Sequence, residues 1–159
     1  MNVSFEINGT RFSSDVEPNL LLVEFIREHA KLTGTKVGCD TGNCGSCVVL
    51  VDGVSVKSCS KLAVQVNGAA ITTIEGVAQD GKLSALQEAF QEMHGLQCGF
   101  CTPGMVMSII DLLNTNASPT ETEIREALYG NVCRCTGYQN VVSAVQHAME
   151  TINKPATTG

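Results

Sequence analysis

Tryptophan is absent from this sequence, and aromatic residues reach only 4% of its 159 positions. A core with so few large rings must gain stability elsewhere, and small domains often gain it from bound metal. Charged residues are also few, at 16%. The ten Lys and Arg are scattered and outnumbered by sixteen Asp and Glu, leaving a net charge of −6. A phosphate backbone requires clustered basic residues, so no nucleic-acid partner is expected. Long apolar runs are missing: stretches 20–23 and 47–51 fall far short of the ~20 residues of a transmembrane helix. Residues 1–20 lack the basic and then apolar pattern of a secretory leader. The expected location is the cytoplasm, with a peripheral position at the inner face of the cytoplasmic membrane as the variant. No nucleophile elbow and no Gly-Lys-Ser/Thr phosphate loop occurs, so substrate-binding catalytic residues are not expected on this chain.

What is present is 43% hydrophobic residues, enough for a folded core, and eight cysteines. Val3, Phe5 and Ile7 alternate with polar residues and predict a half-buried strand. Asn8-Gly9 predicts a two-residue hairpin turn, because both central positions of a type I′ turn need positive φ. The return strand is expected at 10–14. Pro18-Asn19 opens a helix with Leu22, Phe25 and Ile26 on one face and Glu24, Arg27 and Glu28 on the other. Stretch 34–47 has no periodicity but four glycines and three cysteines, as a loop wrapped around something would. Strands are expected at 48–51, 54–58, 64–66 and 70–74, with turns at Asp52-Gly53 and Asn67-Gly68.

Residues 76–82 read as a linker, and helical patterns follow. One covers 84–94. A second begins at Thr102-Pro103, with the Thr hydroxyl as cap. A third begins at Ser118-Pro119 as a capping box and ends near Gly130. The last covers 139–152, and 153–159 reads as a frayed tail. The fold class is therefore α+β: a small mixed sheet with one helix at 1–76, then a compact bundle of four helices at 83–153.

The cysteines fall into two sets of four. Cys39, Cys44, Cys47 and Cys59 follow C-x4-C-x2-C-x11-C, whose front is the plant-type [2Fe–2S] spacing. Three thiolates from one tight loop must converge on two irons. Glycines at 38, 42 and 45 let the backbone approach and aim N–H groups at the sulfurs. A structural zinc site usually pairs two C-x2-C knuckles, and this loop has one. Cys98, Cys101, Cys133 and Cys135 follow C-x2-C-x31-C-x-C, each pair just ahead of an expected helix whose N-terminus would stabilise thiolates. Spacing alone leaves [2Fe–2S], [4Fe–4S] and zinc open for this second set. In a reducing compartment the cysteines read as ligands rather than bridges.

The segments GCDTGNCGSC, QCGFCTPGM and NVCRCTGY, in that order, resemble the small iron–sulfur subunit of the molybdenum hydroxylases, the xanthine oxidase family, over about residues 3–152. The stretches SVKSCSKLAVQVNG, ITTIEG, LSALQEAFQEMHGLQCGFCTPGM and GNVCRCTGYQN are most similar to the small chain of aerobic carbon monoxide dehydrogenase. Small chains acting with N-heterocycle, aldehyde and 4-hydroxybenzoyl-CoA enzymes look alike. The resemblance implies a β-grasp, plant-ferredoxin-like N-terminal domain and a C-terminal four-helix bundle, each with one [2Fe–2S] cluster. It implies a large subunit carrying molybdenum on molybdopterin, as the cytosine dinucleotide, and a medium subunit carrying FAD, in a dimer of heterotrimers. Electrons would pass from the molybdopterin centre to the helical-domain cluster, then to the ferredoxin-like cluster, then to FAD. Gln97 matches the family glutamine that hydrogen-bonds the pterin.

Two other readings stand beside it: a free-standing two-cluster ferredoxin and a zinc-stapled interaction module. His29, His94 and His147 show no ligand spacing to the cysteines and read as surface or packing residues. Met105, Met107 and Met149 read as bundle core. Phe100 and Tyr138 are expected to shield the ligands from water, and Arg134 to offset thiolate charge.

Overall fold

The computed structural model describes residues 1–153, so the expected tail, apart from Asn153, lies outside the described residues. The N-terminal half is built on a five-stranded sheet in the order β2-β1-β5-β3-β4. Strands β1 (Asn2–Ile7) and β2 (Thr10–Asp15) form an antiparallel hairpin with Phe5 opposite Phe12. Asn8 and Gly9 both have positive φ, 50° and 78°, as the type I′ turn requires. Val3, Phe5 and Ile7 all point into the core.

Strand β5 (Ala70–Thr72) lies parallel to β1 and antiparallel to β3 (Val48–Val51), which pairs with β4 (Val54–Lys57). A short helix α1 (Leu22–Glu24) runs on as a wide turn, Phe25–His29, and covers one sheet face. Leu22, Phe25 and Ile26 are buried there, and the Phe25 ring meets Phe5 edge-on at 4.8 Å. Each such side chain contributes about 1.5–3 kcal/mol relative to exposure.

Strand β3 is apolar throughout because both of its faces are covered. Val49 joins the core under α1, while Val48 and Leu50 pack on Met107 of α3 (Thr102–Thr115). The remaining helices are α2 (Ala85–Glu92), α4 (Glu121–Ala127) and α5 (Gln139–Ile152). Leu86, Phe90, Met105, Ile109, Ile124, Val142 and Val145 share their common core. The two halves are also joined by Asp111 of α3, whose carboxylate accepts the Ser55 N–H and hydroxyl at 3.0 and 2.5 Å.

Several local expectations are corrected. Residues 63–66 form a 3-10 turn rather than a strand, since Ala63 and Val66 are the buried pair, spaced by three rather than two. Strand β5 stops at Thr72, and a further turn occupies Ile74–Gly76. Helix α4 is capped by Thr120, not Ser118. The Thr120 hydroxyl accepts the Glu123 N–H, and the Glu123 carboxylate accepts the Thr120 N–H at 2.7 Å. That helix ends at Ala127, three residues before Gly130. Helix α3 is capped at Cys101, and the buried Thr102 hydroxyl, expected to cap it, has no partner among the described residues. Met107 faces the sheet rather than the core shared by the four helices.

Candidate metal centres

The first cysteine set is gathered by a loop whose carbonyls from Gly42 to Cys47 are all hydrogen-bonded. Lys57 Nζ donates to the Gly42 and Asn43 carbonyls at 2.7 and 3.4 Å. The Cys44 carbonyl accepts the Val132 N–H at 2.8 Å, and the Gly45 carbonyl accepts the Asn131 amide at 3.2 Å. The Ser46 carbonyl accepts the Lys36 N–H, and the Cys47 carbonyl accepts both the N–H and the hydroxyl of Ser58. In a trans peptide the N–H points opposite to the C=O. Holding the carbonyls outward therefore turns the loop amides inward.

One of these amides, that of Cys44, reaches sulfur, and the Thr41 amide joins it. Cys44 and Thr41 donate N–H groups to Cys39 Sγ at 3.3 and 3.5 Å. The Cys44 amide, helped by Thr41 and Asn43, draws the Cys39 thiol down to about 6. Cys47 is the opposite case. Burial, with Cys59 and Cys44 close by, pushes its thiol up to about 11. A buried thiol of that kind ionises only when a cation compensates it. The Ser58 bonds to Cys47 hold Cys59 beside it, at the start of the turn after β4.

Two of the three glycines adopt backbone that glycine takes readily, and Gly45 is needed for an added reason. Gly42 and Gly45 have φ of 71° and 73°. A Cβ at Gly38 would sit 3.0 Å from Cys44 Sγ. A Cβ at Gly45 would strike the Gly130 carbonyl, and one at Gly104 would strike the Gly45 carbonyl. The loop is thus pressed between two segments of the helical half.

The second set draws on two segments. Cys101 is the cap of α3 and is buried, while Cys98 is exposed. Cys133 and Cys135 do not abut α5. A turn intervenes, and α5 is capped by Tyr138. Of the four, only Cys101 therefore stands at a helix N-terminus. Cys133 relies on Thr136, whose hydroxyl and N–H donate to its sulfur at 3.1 and 3.4 Å. Burial pushes the Cys133 thiol up, but Thr136 and the Cys101 thiol outweigh it and leave it lowered. Burial, with Cys133 adjacent, drives Cys101 up to about 12.

Tyr138 also clamps the loop. Its hydroxyl accepts the Cys133 N–H at 2.9 Å and donates to the Asn131 carbonyl at 3.0 Å. Phe100, expected as a shield, is 46% exposed and lies over Gly38 at the seam of the two cysteine loops. The exposed Gln97 donates its amide to the Cys135 carbonyl at 3.0 Å, linking the two segments of the second set. The histidines stand apart from both sets: His29 stacks on Phe25, His147 pairs with Glu92, and the His94 carbonyl accepts from Asn140. Arg134 is exposed. Lys57, Asn131 and Thr136 were not singled out from sequence. Only Thr136, three residues after Cys133, carried a local signal, that of a hydroxyl turn.

Among the described residues, no three His, Cys, Asp or Glu side chains converge tightly enough for a single metal ion. A two-iron cluster divides four thiolates between two irons and has no such requirement. The donor chemistry fits it: all eight cysteines are free thiols, amides or hydroxyls face Cys39 and Cys133, and a side chain at Gly38 would crowd Cys44 Sγ.

Comparison with known proteins agrees with this chemistry. Residues 5–73 match the model of a 2Fe-2S iron-sulfur cluster binding domain, and residues 73–146 match that of a [2Fe-2S] binding domain. The nicotine 6-hydroxylase small subunit of Paenarthrobacter nicotinovorans is 50% identical, over 93% of this chain and 89% of that one. The caffeine dehydrogenase subunit gamma of Pseudomonas sp. (strain CBB1) is 46% identical, over 94% and 91%. Among solved structures, a chain of quinoline 2-oxidoreductase from Pseudomonas putida 86 superposes with a TM-score of 0.91 at 46% identity, over 95% of this chain and 94% of that one.

Proposed function

We propose how this chain, which belongs to the iron–sulfur small subunits of the molybdenum hydroxylase family, arranges its ligands and meets its partners. It is an electron-transfer subunit of a multisubunit molybdenum-dependent oxidoreductase and contains two [2Fe–2S]-binding domains. Cys39, Cys44, Cys47 and Cys59 would hold one cluster, and Cys98, Cys101, Cys133 and Cys135 the other. When bound, two such clusters supply one-electron redox sites between the cofactors of partner chains. The observation that carries the assignment is the division of the thiols into two hydrogen-bonded sets, each with one buried member, Cys47 or Cys101.

The ferredoxin-like β-grasp domain is assigned to 1–76 and the helical domain to 83–153, the latter as a four-helix bundle. The single core shared by α2, α3, α4 and α5 supports that description. The helical half is assigned as the side facing the molybdopterin of a large partner chain, and the sheet half as the side facing the FAD of a medium one. Exposure supports this, because Cys98, Cys135 and Gln97 are open on the helical half. Gln97 spends an amide hydrogen on Cys135 and keeps its oxygen and second hydrogen for a pterin edge. A dimer of such heterotrimers in the cytoplasm, where thiol ligands stay reduced, completes the reading. No helix among the described residues is long and apolar enough to cross a membrane.

For the holoenzyme we favour hydroxylation of a nitrogen heterocycle. The names of the relatives above, with nicotine, caffeine and quinoline, support that class over carbon monoxide. The test is iron and acid-labile sulfide on anaerobically purified protein, with EPR after reduction. About four iron and about four sulfide per chain with two distinct signals are expected for two such clusters. Zinc without sulfide would sink the ligand assignment.

A further inference from the structure

Lys57 closes β4 two residues before Cys59, and its side chain is partly buried. Its ammonium lies between the first cysteine loop and Gly130, where a Cβ would be 3.5 Å from Nζ. Nζ donates to the Gly42 carbonyl at 2.7 Å and reaches the Asn43 carbonyl at 3.4 Å. The peptide that carries the Asn43 carbonyl also carries the Cys44 N–H, which points to Cys39 Sγ at 3.3 Å. Among the described residues no carboxylate pairs with Lys57. Two further cations of the cysteine loops are placed differently: Lys36 Nζ turns to the Thr33 carbonyl, and Arg134 is exposed to water, which screens its charge.

We propose that Lys57 is a positioning residue of the first cysteine set, holding the 42–43 carbonyls outward so that the next amides face sulfur, and that its unpaired charge raises the reduction potential of that centre alone. The inference rests on the ligand assignment above. Its physical basis is that adding an electron to an anionic cluster is easier beside a fixed positive charge and beside amides directed at sulfur. Lys57 occupies a half-dry position next to one loop and is held by backbone, so the effect is local.

The test is an EPR-monitored redox titration of the assembled holoenzyme, with iron and sulfide assayed in each sample. In Lys57→Met the oxidised-to-reduced ratio of one centre at fixed potential should rise about tenfold, equivalent to ~59 mV for a one-electron couple. The other signal should stay where it is, and Lys57→Arg should restore the first. Gly130→Asp sets a carboxylate beside Nζ without removing the lysine and should move the same signal in the same direction, while Gly130→Ala should not. If Lys57→Met loses iron, Gly130→Asp decides. Unmoved potentials in these variants, or equal shifts of both signals, would overturn the proposal while leaving the ligand assignment intact. Wild-type protein with zinc and no sulfide would overturn both.

Discussion

Gly104 offers a test in which local propensity and tertiary packing predict opposite signs. It lies in the first turn of α3, where glycine costs a helix about 1 kcal/mol relative to alanine. On propensity alone, Gly104→Ala should stabilise the protein. The structure argues otherwise, because the new Cβ would strike the Gly45 carbonyl oxygen and sit 3.0 Å from Ser46 Cα. Both neighbours are backbone, and the Gly45 carbonyl is already held by Asn131 and by the Val48 N–H. Neither can swing aside as a side-chain tip would. Overpacking of this kind costs about 1–3 kcal/mol, enough to outweigh the propensity gain. Loss of iron makes unfolding irreversible, so the useful measurement is a rate at one temperature. Set against the propensity gain of about 1 kcal/mol, the upper part of that range leaves a net loss of up to about 2 kcal/mol, an acceleration of up to roughly 30-fold where the contact is absent from the transition state. The assay is bleaching of the visible iron–sulfur absorbance, with EPR to identify which centre goes first; the first cysteine set should lead. Asn114→Ala, at an exposed position of the same helix, serves as the control and should bleach no faster than wild type. A Gly104→Ala protein that bleaches more slowly than wild type would refute the argument and reduce the seam to a loose contact.

Three further outcomes follow from the same geometry. Cys101→Ser should lower iron from about four to about two per chain and remove one EPR signal while sparing the other, since each set would hold two irons. Thr120→Ala should destabilise α4 by about 1 kcal/mol. It should also flatten a pH dependence, because the Thr120 N–H and hydroxyl hold the Glu123 carboxyl below its usual range. A depressed carboxyl stabilises the fold above its unfolded pKa and ceases to do so as pH falls through its folded value, so thermal midpoints across the acid range should fall less steeply in the variant. Gln97→Ala should keep all its iron and both signals, yet slow reduction of the clusters by substrate in stopped-flow measurements on the holoenzyme; an unchanged rate would remove Gln97 from the pterin edge.

Legibility followed the range of the forces involved. The β1–β2 hairpin was readable because alternation and Asn8-Gly9 are local signals, and the cysteine loop because it needs glycine at fixed offsets. Residues 63–66 misled because Val64 and Val66, two positions apart, look like strand alternation, whereas the buried pair is Ala63 and Val66. The α4 cap was misread because Ser118 and Thr120 both precede Glu residues at helical spacing, and only the bonded geometry selects Thr120. Asn131 could not be read as part of a site at all. Its role is to donate to a carbonyl 86 positions earlier, and nothing in the segment around it encodes that partner.

The seam explains why the two halves, so different in secondary structure, act as one body. Val132 donates its N–H to the Cys44 carbonyl and is bonded through its own carbonyl carbon to Cys133. One hydrogen bond therefore separates a residue of the first cysteine set from the neighbour of a residue of the second. Asn131 repeats the connection one residue earlier, and Tyr138 locks the Asn131 carbonyl and the Cys133 N–H with a single hydroxyl. Such short polar links hold their geometry only if the surrounding contact does not slide. The apolar face of β3 against Met107 and the glycine contact of Gly45 with Gly104 provide that resistance. A linker at 76–82 alone would let the two cysteine sets drift relative to each other. Close packing fixes their separation, and a fixed separation is what a chain that hands electrons from one centre to the next requires.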